Sequence, residues 1–314
     1  MVSKLAIIIP AYKGDFLKSA IQSIANQTCK DFTLYIGDDC SPNDLYSIVK
    51  SFENEINIVY KRFDSNLGGT DLVAQWNRCL DLVKDENWCW LFSDDDVMES
   101  NCVECFYTAM KQYSSSKLFH FNIKIINETD EIIKQPTAFP SILNVPSFHM
   151  KKWKSQIYSY VVEYIFEKEY FLQLGGFQPF KFAWHTDEAT WTKLAHPAGL
   201  VTIDDAYVRW RRSSVNITPN NRDKHIVEGK LNADIDFAKW ILDFYSRNGL
   251  VLGHTKRFLL AKRFIIHLVN SKNVISKSDA LIYLKNELNA LNISVRKPLF
   301  YVYYSYRLFK SKAN

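Results

Sequence analysis

Three consecutive carboxylates, Asp94, Asp95 and Asp96, stand behind Ser93 at the end of the apolar run Trp88, Trp90, Leu91 and Phe92. Negative charge this dense beside an apolar strand is costly unless something offsets it. A hard divalent cation, Mg²⁺ or Mn²⁺, held by carboxylate oxygens would do so, and its remaining positions suit diphosphate oxygens. The plain alternative is a solvated acidic turn leading into a helix over 99–113. A second pair, Asp38-Asp39, closes another apolar run. Asp39 could accept a hydrogen bond from a uracil or ribose, or serve only an Asx-type turn with Ser41-Pro42-Asn43. A third group, Asp187-Glu188, follows Trp184-His185-Thr186. A carboxylate or an imidazole in such a group can act as a general base, at Asp187 or at His185. Both acids would equally favour the N-terminus of a helix over 187–195.

These groups need a scaffold that brings loops together. The first half alternates short β-branched apolar runs with helical periodicity, which predicts an α/β fold with a mostly parallel sheet. Strands are expected at 4–10, 32–38, 56–62, 88–93 and 117–126, with helices near 15–27, 43–53, 70–84 and 99–113. Loops at the carboxyl ends of such strands form the ligand crevice. They carry Ala11-Tyr12-Lys13, Asp38 to Ser41, Asn66 to Thr70, and the aspartate triplet. Residues 127–150, with Pro136, Pro140 and Pro146, read as a long crossing loop. Beyond it a strand is expected at 157–166, a short helix at 167–174 capped by Gly175-Gly176, and strands at 200–203 and 206–211. From 221 the pattern is helical. The expected division is a catalytic domain over 1–215 and a basic helical extension over 216–314.

The formal charge of +5 conceals an asymmetry. From residue 251 onward 12 Lys or Arg face only Asp279 and Glu287, which leaves −5 for residues 1–250. Such a tail could attract nucleic acid, an anionic membrane or an anionic substrate. Arg257, Lys262, Arg263 and Lys272 alternate with Phe258, Leu259, Phe264, Ile265 and Leu268, and 298–310 adds tyrosines. That pattern suits a membrane interface, or helical packing with a solvated basic face. The six cysteines show no disulfide framework, so reduced thiols and a cytoplasmic location are expected. No apolar run approaches a membrane span.

The segments IIIPAYKGDFLKSAIQSIANQT, YIGDDCS, NLGG with LVAQWNRCL, and WLFSDDDVME resemble, in order and spacing, family 2 glycosyltransferases of the GT-A fold. The match spans roughly the first 215 residues, weakening over 100–165 and returning at Gly175-Gly176-Phe177 and His185 to Leu194. By this resemblance Pro10, Ala11 and Tyr12 would bracket a nucleobase, with Asp39 or its neighbour Asp38 holding it. Asn66, Gly68 and Gly69 would form the loop beside the nucleotide; Arg78, on the helix that follows, would either reach the nucleotide or stay solvated. Asp95 would ligate the metal, helped by Asp94 or Asp96. Asp187 matches the family's base. Three positions depart from the pattern. Ser93 replaces the first acid of the metal motif and Thr186 a glutamate, while Arg211 stands where a histidine is frequent. Arg211, Arg209 or Arg212 would then neutralise the departing diphosphate.

The resemblance implies a metal-dependent, inverting glycosyltransferase of polysaccharide biosynthesis. It would move sugar from a nucleoside-diphosphate sugar, expected to be a UDP-sugar, to a glycan or lipid-linked glycan. No nucleic acid partner is expected, and the basic tail leaves open peripheral contact with the inner face of the membrane. The alternatives are a catalytically silent nucleotide-sugar-binding scaffold and a sugar-phosphate nucleotidyltransferase, for which PAYKGD is a poor triphosphate loop.

Overall fold

A computed structural model of the chain describes residues 5–213, 223–293 and 297–310. The chain forms two compact units. The first takes in Met1–Phe148, Ile157–Gln178 and Thr190–Ser214, the second His149–Gln156, Pro179–Ala189 and Val215–Asn314. The expected domain boundary at 215/216 lies outside the described residues.

The first unit is built on one sheet. Its opening strands β1 (Leu5–Ala11), β2 (Phe32–Asp38), β3 (Ile58–Arg62) and β4 (Trp88–Leu91) are parallel. Crossover helices α1 (Leu17–Ala25), α2 (Leu45–Lys50) and α3 (Leu72–Leu80) join them. On α1 the buried Leu17, Ala20, Ile21 and Ile24 recur at helical spacing, which gives one apolar stripe to lay on the sheet. Asp44 and Asp71 cap α2 and α3 by accepting the N–H of Ser47 and Ala74. β5 (Val97–Met98), α4 (Cys102–Gln112) and β6 (Leu118–Ile126) follow.

Residues 127–150 differ from the expected long loop. They contain β7 (Ile132–Lys134), β8 (Ile142–Leu143) and the start of α5 (Val145–Trp153). Pro146 lies in the first turn of α5, where a missing N–H costs no hydrogen bond. The strand expected over 157–166 is shorter and later, β9 (Tyr164–Glu167), because the Tyr160 N–H donates to the Glu163 side chain and turns the chain first. β9 runs antiparallel between β4 and β6. After α6 (Lys168–Gln173), Gly175 and Gly176 take φ of 81° and 71° as the left-handed cap. α7 (Thr186–Ala195) leads to β10 (Leu200–Arg211). The two strands expected there are one, with a register shift between Ile203 and Tyr207 at the exposed Asp204 and Asp205. The sheet order is β3-β2-β1-β4-β9-β6-β10-β5. Ile7, Ile36, Trp90, Phe121 and Val208 are among the core residues that pack against it.

The second unit contains α8 (Lys224–Arg247), α9 (His254–Asn270), α10 (Lys277–Ala290) and α11 (Lys297–Lys310). Ile241 and Tyr245, Phe264 and Leu268, Leu284 and Leu288, and Phe300 and Tyr304 bury one face of each helix in turn. The apolar side of α9 is therefore spent inside its own unit, although Leu299, Val302 and Tyr306 of α11 stay exposed. Among the described residues no helix is long and apolar enough to cross a membrane, and all six cysteines are free thiols.

Candidate active site

The carboxyl ends of β2 and β4 bring two acidic groups, Asp38-Asp39 and the aspartate triplet, to the same end of the sheet as the loop leaving β1. Asp94 Oδ2 accepts the N–H of Tyr12 at 2.9 Å and of Lys13 at 2.8 Å, which ties the end of β4 to the loop leaving β1. Asp96 Oδ1 accepts the Arg211 N–H at 2.6 Å, which ties it to β10. Asp95 is the member of the triplet whose carboxylate accepts no backbone N–H among the described residues. Its carboxylate takes the Ser93 hydroxyl, and the Lys13 ammonium stands 3.6 Å away. Ser93, in place of an acid, thus orients the carboxylate beside it.

Burial, and then the charge of Asp95, push the Asp94 carboxyl up to about 6 and Asp96 well above the usual carboxylate range. A divalent cation would favour the charged forms of these buried carboxyls, so the residues present fit one. Among the described residues no group of three or more His, Cys, Asp or Glu is placed to hold a metal by itself. One or two carboxylates completed by substrate phosphates is the arrangement magnesium favours.

Asp38 and Asp39 are both buried and both heavily engaged. Asp38 accepts from Ser41 N at 2.8 Å, the Tyr60 hydroxyl at 2.5 Å and Arg62 at 2.8 Å, so it fastens β2 to β3. Asp39 accepts from Leu67 N at 2.7 Å, Gly68 N at 2.8 Å and Asn66 Nδ2 at 3.0 Å, and pairs with Arg78. Arg78 is therefore an anchor for Asp39 rather than a solvated side chain. The glycines follow from that closeness. A Cβ on Gly68 would meet Asp39 Oδ2 at 2.7 Å, and one on Gly69 would meet Asn66 Oδ1 at 2.4 Å. Of the three residues expected around a base, Tyr12 is 42% exposed and offers its ring, while Ala11 is fully buried and its carbonyl accepts the Asp39 N–H. Pro10 lies between, partly buried in β1.

Asp187 belongs to the second unit, in the first turn of α7. It is half-buried, and no hydrogen bond or ion pair holds its carboxylate among the described residues. Its neighbour Glu188 is buried, accepts from Trp153 Nε1 at 2.6 Å, and lies 3.3 Å from the Lys152 ammonium. Two adjacent acids thus have different fates, one structural and one unspent. Thr186, in place of the family's glutamate, accepts the Phe180 N–H at 3.2 Å. His185 is not available as a base. Burial works against its charge, but hydrogen bonds to Asp234 and Glu188 outweigh that and hold it up at about 9, so it is already protonated at neutral pH.

Arg211 is not placed to meet a diphosphate. Its guanidinium is 1% exposed, donates to the Asp95 and Asn127 carbonyls at 2.7 and 2.9 Å, pairs with Asp130 at 2.6 Å and covers the Phe16 ring. A guanidinium so committed braces β10 against the triplet. Arg209 pairs with Glu99 at 3.6 Å, and Arg212 is exposed.

Residues 6–167 match the family described as Glycosyl transferase family 2. The chain belongs to that family. It is a glycosyltransferase. A crystal structure of S. aureus TarS 1-349 in complex with UDP-GlcNAc shares the fold, with a TM-score of 0.69 at 14% identity over 98% of this chain and 88% of that one. The same TarS fragment in complex with UDP gives 0.57. A structure of S. aureus TarS gives 0.54 over 92% of this chain and 54% of that one.

Sequence reasoning assigned no role in the site of this glycosyltransferase to Lys13, Tyr60, Arg62 or Asp234. Lys13 had a usable signal, since it directly follows Tyr12 in a strand-end loop. Tyr60 and Arg62 alternate on one face of an edge strand, which points both at Asp38. Asp234 lies inside a long helix, where nothing in its spacing marks it.

Proposed function

We propose that this glycosyltransferase transfers a sugar from a UDP-sugar to a hydroxyl of a glycan or lipid-linked glycan, with inversion at the anomeric carbon. The observation that carries this reading is the contrast between Asp187, whose carboxylate no group among the described residues holds, and Glu188, which is engaged by Trp153 and Lys152. A general base needs an oxygen or nitrogen within reach of the proton it takes. The TarS complexes with UDP-GlcNAc and UDP, on a shared fold, support uridine as the donor base.

Tyr12 offers a ring face to the base, and the Asp39-braced loop Asn66 to Gly69 presents backbone beside it. Asp95, with Asp94 or Asp96, would hold Mg²⁺ or Mn²⁺, which supplies neutralising charge to the diphosphate. The Lys13 ammonium adds a second positive charge at the same place. Asp187 takes the acceptor's hydroxyl proton as that oxygen bonds to the anomeric carbon. The bond from that carbon to the diphosphate oxygen breaks on the opposite face, and its electron pair leaves with UDP. The basic α9 and the exposed stripe of α11 suit peripheral contact with an anionic membrane bearing such an acceptor.

The test is a panel of UDP-sugars with Mn²⁺ and extracted glycan acceptors, read as UDP release and product mass. Asp187→Asn is expected to bind UDP as the wild type does and to lose transfer. Wild-type transfer by that variant would remove Asp187 as the base.

A further inference from the structure

Asp187 takes its direction from the backbone alone, since nothing among the described residues grips its carboxylate. The chain just before it is held in an unusual shape. Phe182, Ala183 and His185 have φ of 58°, 54° and 69°, a region that non-glycine residues avoid at a cost of about 1–3 kcal/mol each. Three such residues within four positions persist only if their surroundings fix them.

The helices of the second unit do this. A Cβ on Gly229 of α8 would meet Phe182 Cε2 at 2.2 Å, so the absence of a side chain lets that ring seat against the helix. About two turns later Phe237 stacks on the His185 ring at 4.3 Å and 8°. Between them Asp234 accepts from Trp184 Nε1 at 3.0 Å, His185 Nε2 at 2.7 Å and, from α9, His267 Nδ1 at 2.5 Å. The other nitrogen of His185 faces Glu188 Oε2 at 3.4 Å, one residue beyond Asp187. The chain of contacts Asp234–His185–Glu188 therefore brackets the base on both sides.

We infer that Asp234 is a positioning residue for catalysis, which, through His185 and with His267, fixes the strained turn that aims Asp187. This rests on the reading of Asp187 as the base. The C-terminal helices thereby take part in transfer although Asp234 itself touches no substrate. Misplacing a reacting group by about 1 Å costs on the order of a hundredfold in rate, and a loosened turn could move Asp187 by that much.

The experiment uses the full chain as wild type, Asp187→Asn, Asp234→Asn and the double variant. It reads kcat for transfer, KM for the UDP-sugar, UDP affinity by calorimetry and the thermal midpoint. Asp234→Asn is expected to lower kcat by roughly ten- to a hundredfold with UDP affinity and donor KM unchanged. The double variant is expected to be no slower than Asp187→Asn alone, because aim is irrelevant once the base is gone. Asp234→Glu, which keeps the acceptor, is expected to recover part of the loss. A purely structural aspartate would lower the affinity for UDP and the thermal midpoint together, and would slow the double variant further; either result overturns the positioning role. Wild-type kcat for Asp234→Asn with Asp187→Asn inactive also overturns it while leaving the base in place. Wild-type transfer by Asp187→Asn would instead remove the base assignment itself. If Asp234→Asn does not fold, His267→Gln, which removes one donor to Asp234, carries the same comparison.

Discussion

The Lys13 ammonium lies 3.6 Å from the Asp95 carboxylate, while the backbone N–H of the same residue donates to Asp94 at 2.8 Å. One residue thus sets the shape of the acidic loop and supplies its nearest mobile charge. Asp94 fixes where the lysine starts, and Asp95 marks where its charge goes. The stem that carries the ammonium is flexible, so its charge is not fixed to one partner.

Lys13→Met therefore separates the two roles. The backbone bond to Asp94 survives and the charge is lost. A hydrogen bond to a charged group is worth about 1.5–3 kcal/mol, so UDP affinity by calorimetry should fall roughly tenfold or more. Asp95→Ala should go further and abolish the dependence of UDP binding on added Mn²⁺. Unchanged Mn²⁺ dependence in Asp95→Ala would place the cation elsewhere.

The glycines of the nucleotide loop make a second prediction. Gly69→Ala puts a Cβ 2.4 Å from Asn66 Oδ1, a contact that one of the two must yield. The loop is a surface segment, so the fold should stand, with a thermal midpoint near that of the wild type. Donor KM should rise severalfold, because Asn66 and its bond to Asp39 at 3.0 Å are displaced.

What the sequence made legible follows from how local each signal is. β1, β2 and β4 were readable because parallel strands buried on both faces are unbroken apolar runs, and their order along the chain brings their ends together. β9 was placed too early and its direction missed, since pairing antiparallel between β4 and β6 is a long-range choice that its four residues do not encode. The aspartate triplet showed a charge in need of compensation but not how the three divide the work. That division depends on the Tyr12, Lys13 and Arg211 backbone, which come from other elements. Asp187 was readable as an acid at a helix start, whereas its freedom relative to Glu188 needed Lys152 and Trp153, both distant in sequence.

Arg211 shows the reverse case, a cation whose type suggested substrate and whose surroundings assign it to the fold. Arg211→Met would leave the Asp95 and Asn127 carbonyls without the donors at 2.7 and 2.9 Å. Stranding one buried and one half-buried acceptor costs roughly 2–4 kcal/mol. Urea unfolding should move by that amount, while UDP affinity measured well below the melting range stays within about twofold if only the brace is lost. A tenfold loss of UDP affinity with unchanged stability would return Arg211 to the diphosphate.

The turn before Asp187 also sets a pH dependence. Burial disfavours the His185 cation, but Asp234 and Glu188 outweigh it and raise the group from its ordinary 6.5 to about 9. A group raised on folding contributes its full stability below pH 6.5 and loses it as pH climbs through about 9. Asp234 and Glu188 are both held well below the carboxylate range, where burial is outweighed by the histidines in one case and by Lys152 and His185 in the other. Neither changes charge in that window. Lys193, in the other unit, is pushed down to about 8 by burial and titrates there with the opposite sign. The clean measurement is therefore the difference in urea midpoint between wild type and His185→Gln, taken from pH 6 to 9.5. The Lys193 contribution cancels in that difference. The wild-type advantage should be largest near pH 6 and shrink steadily toward pH 9.5. An advantage that stays constant across the range would mean that the His185 charge plays no part in holding the turn.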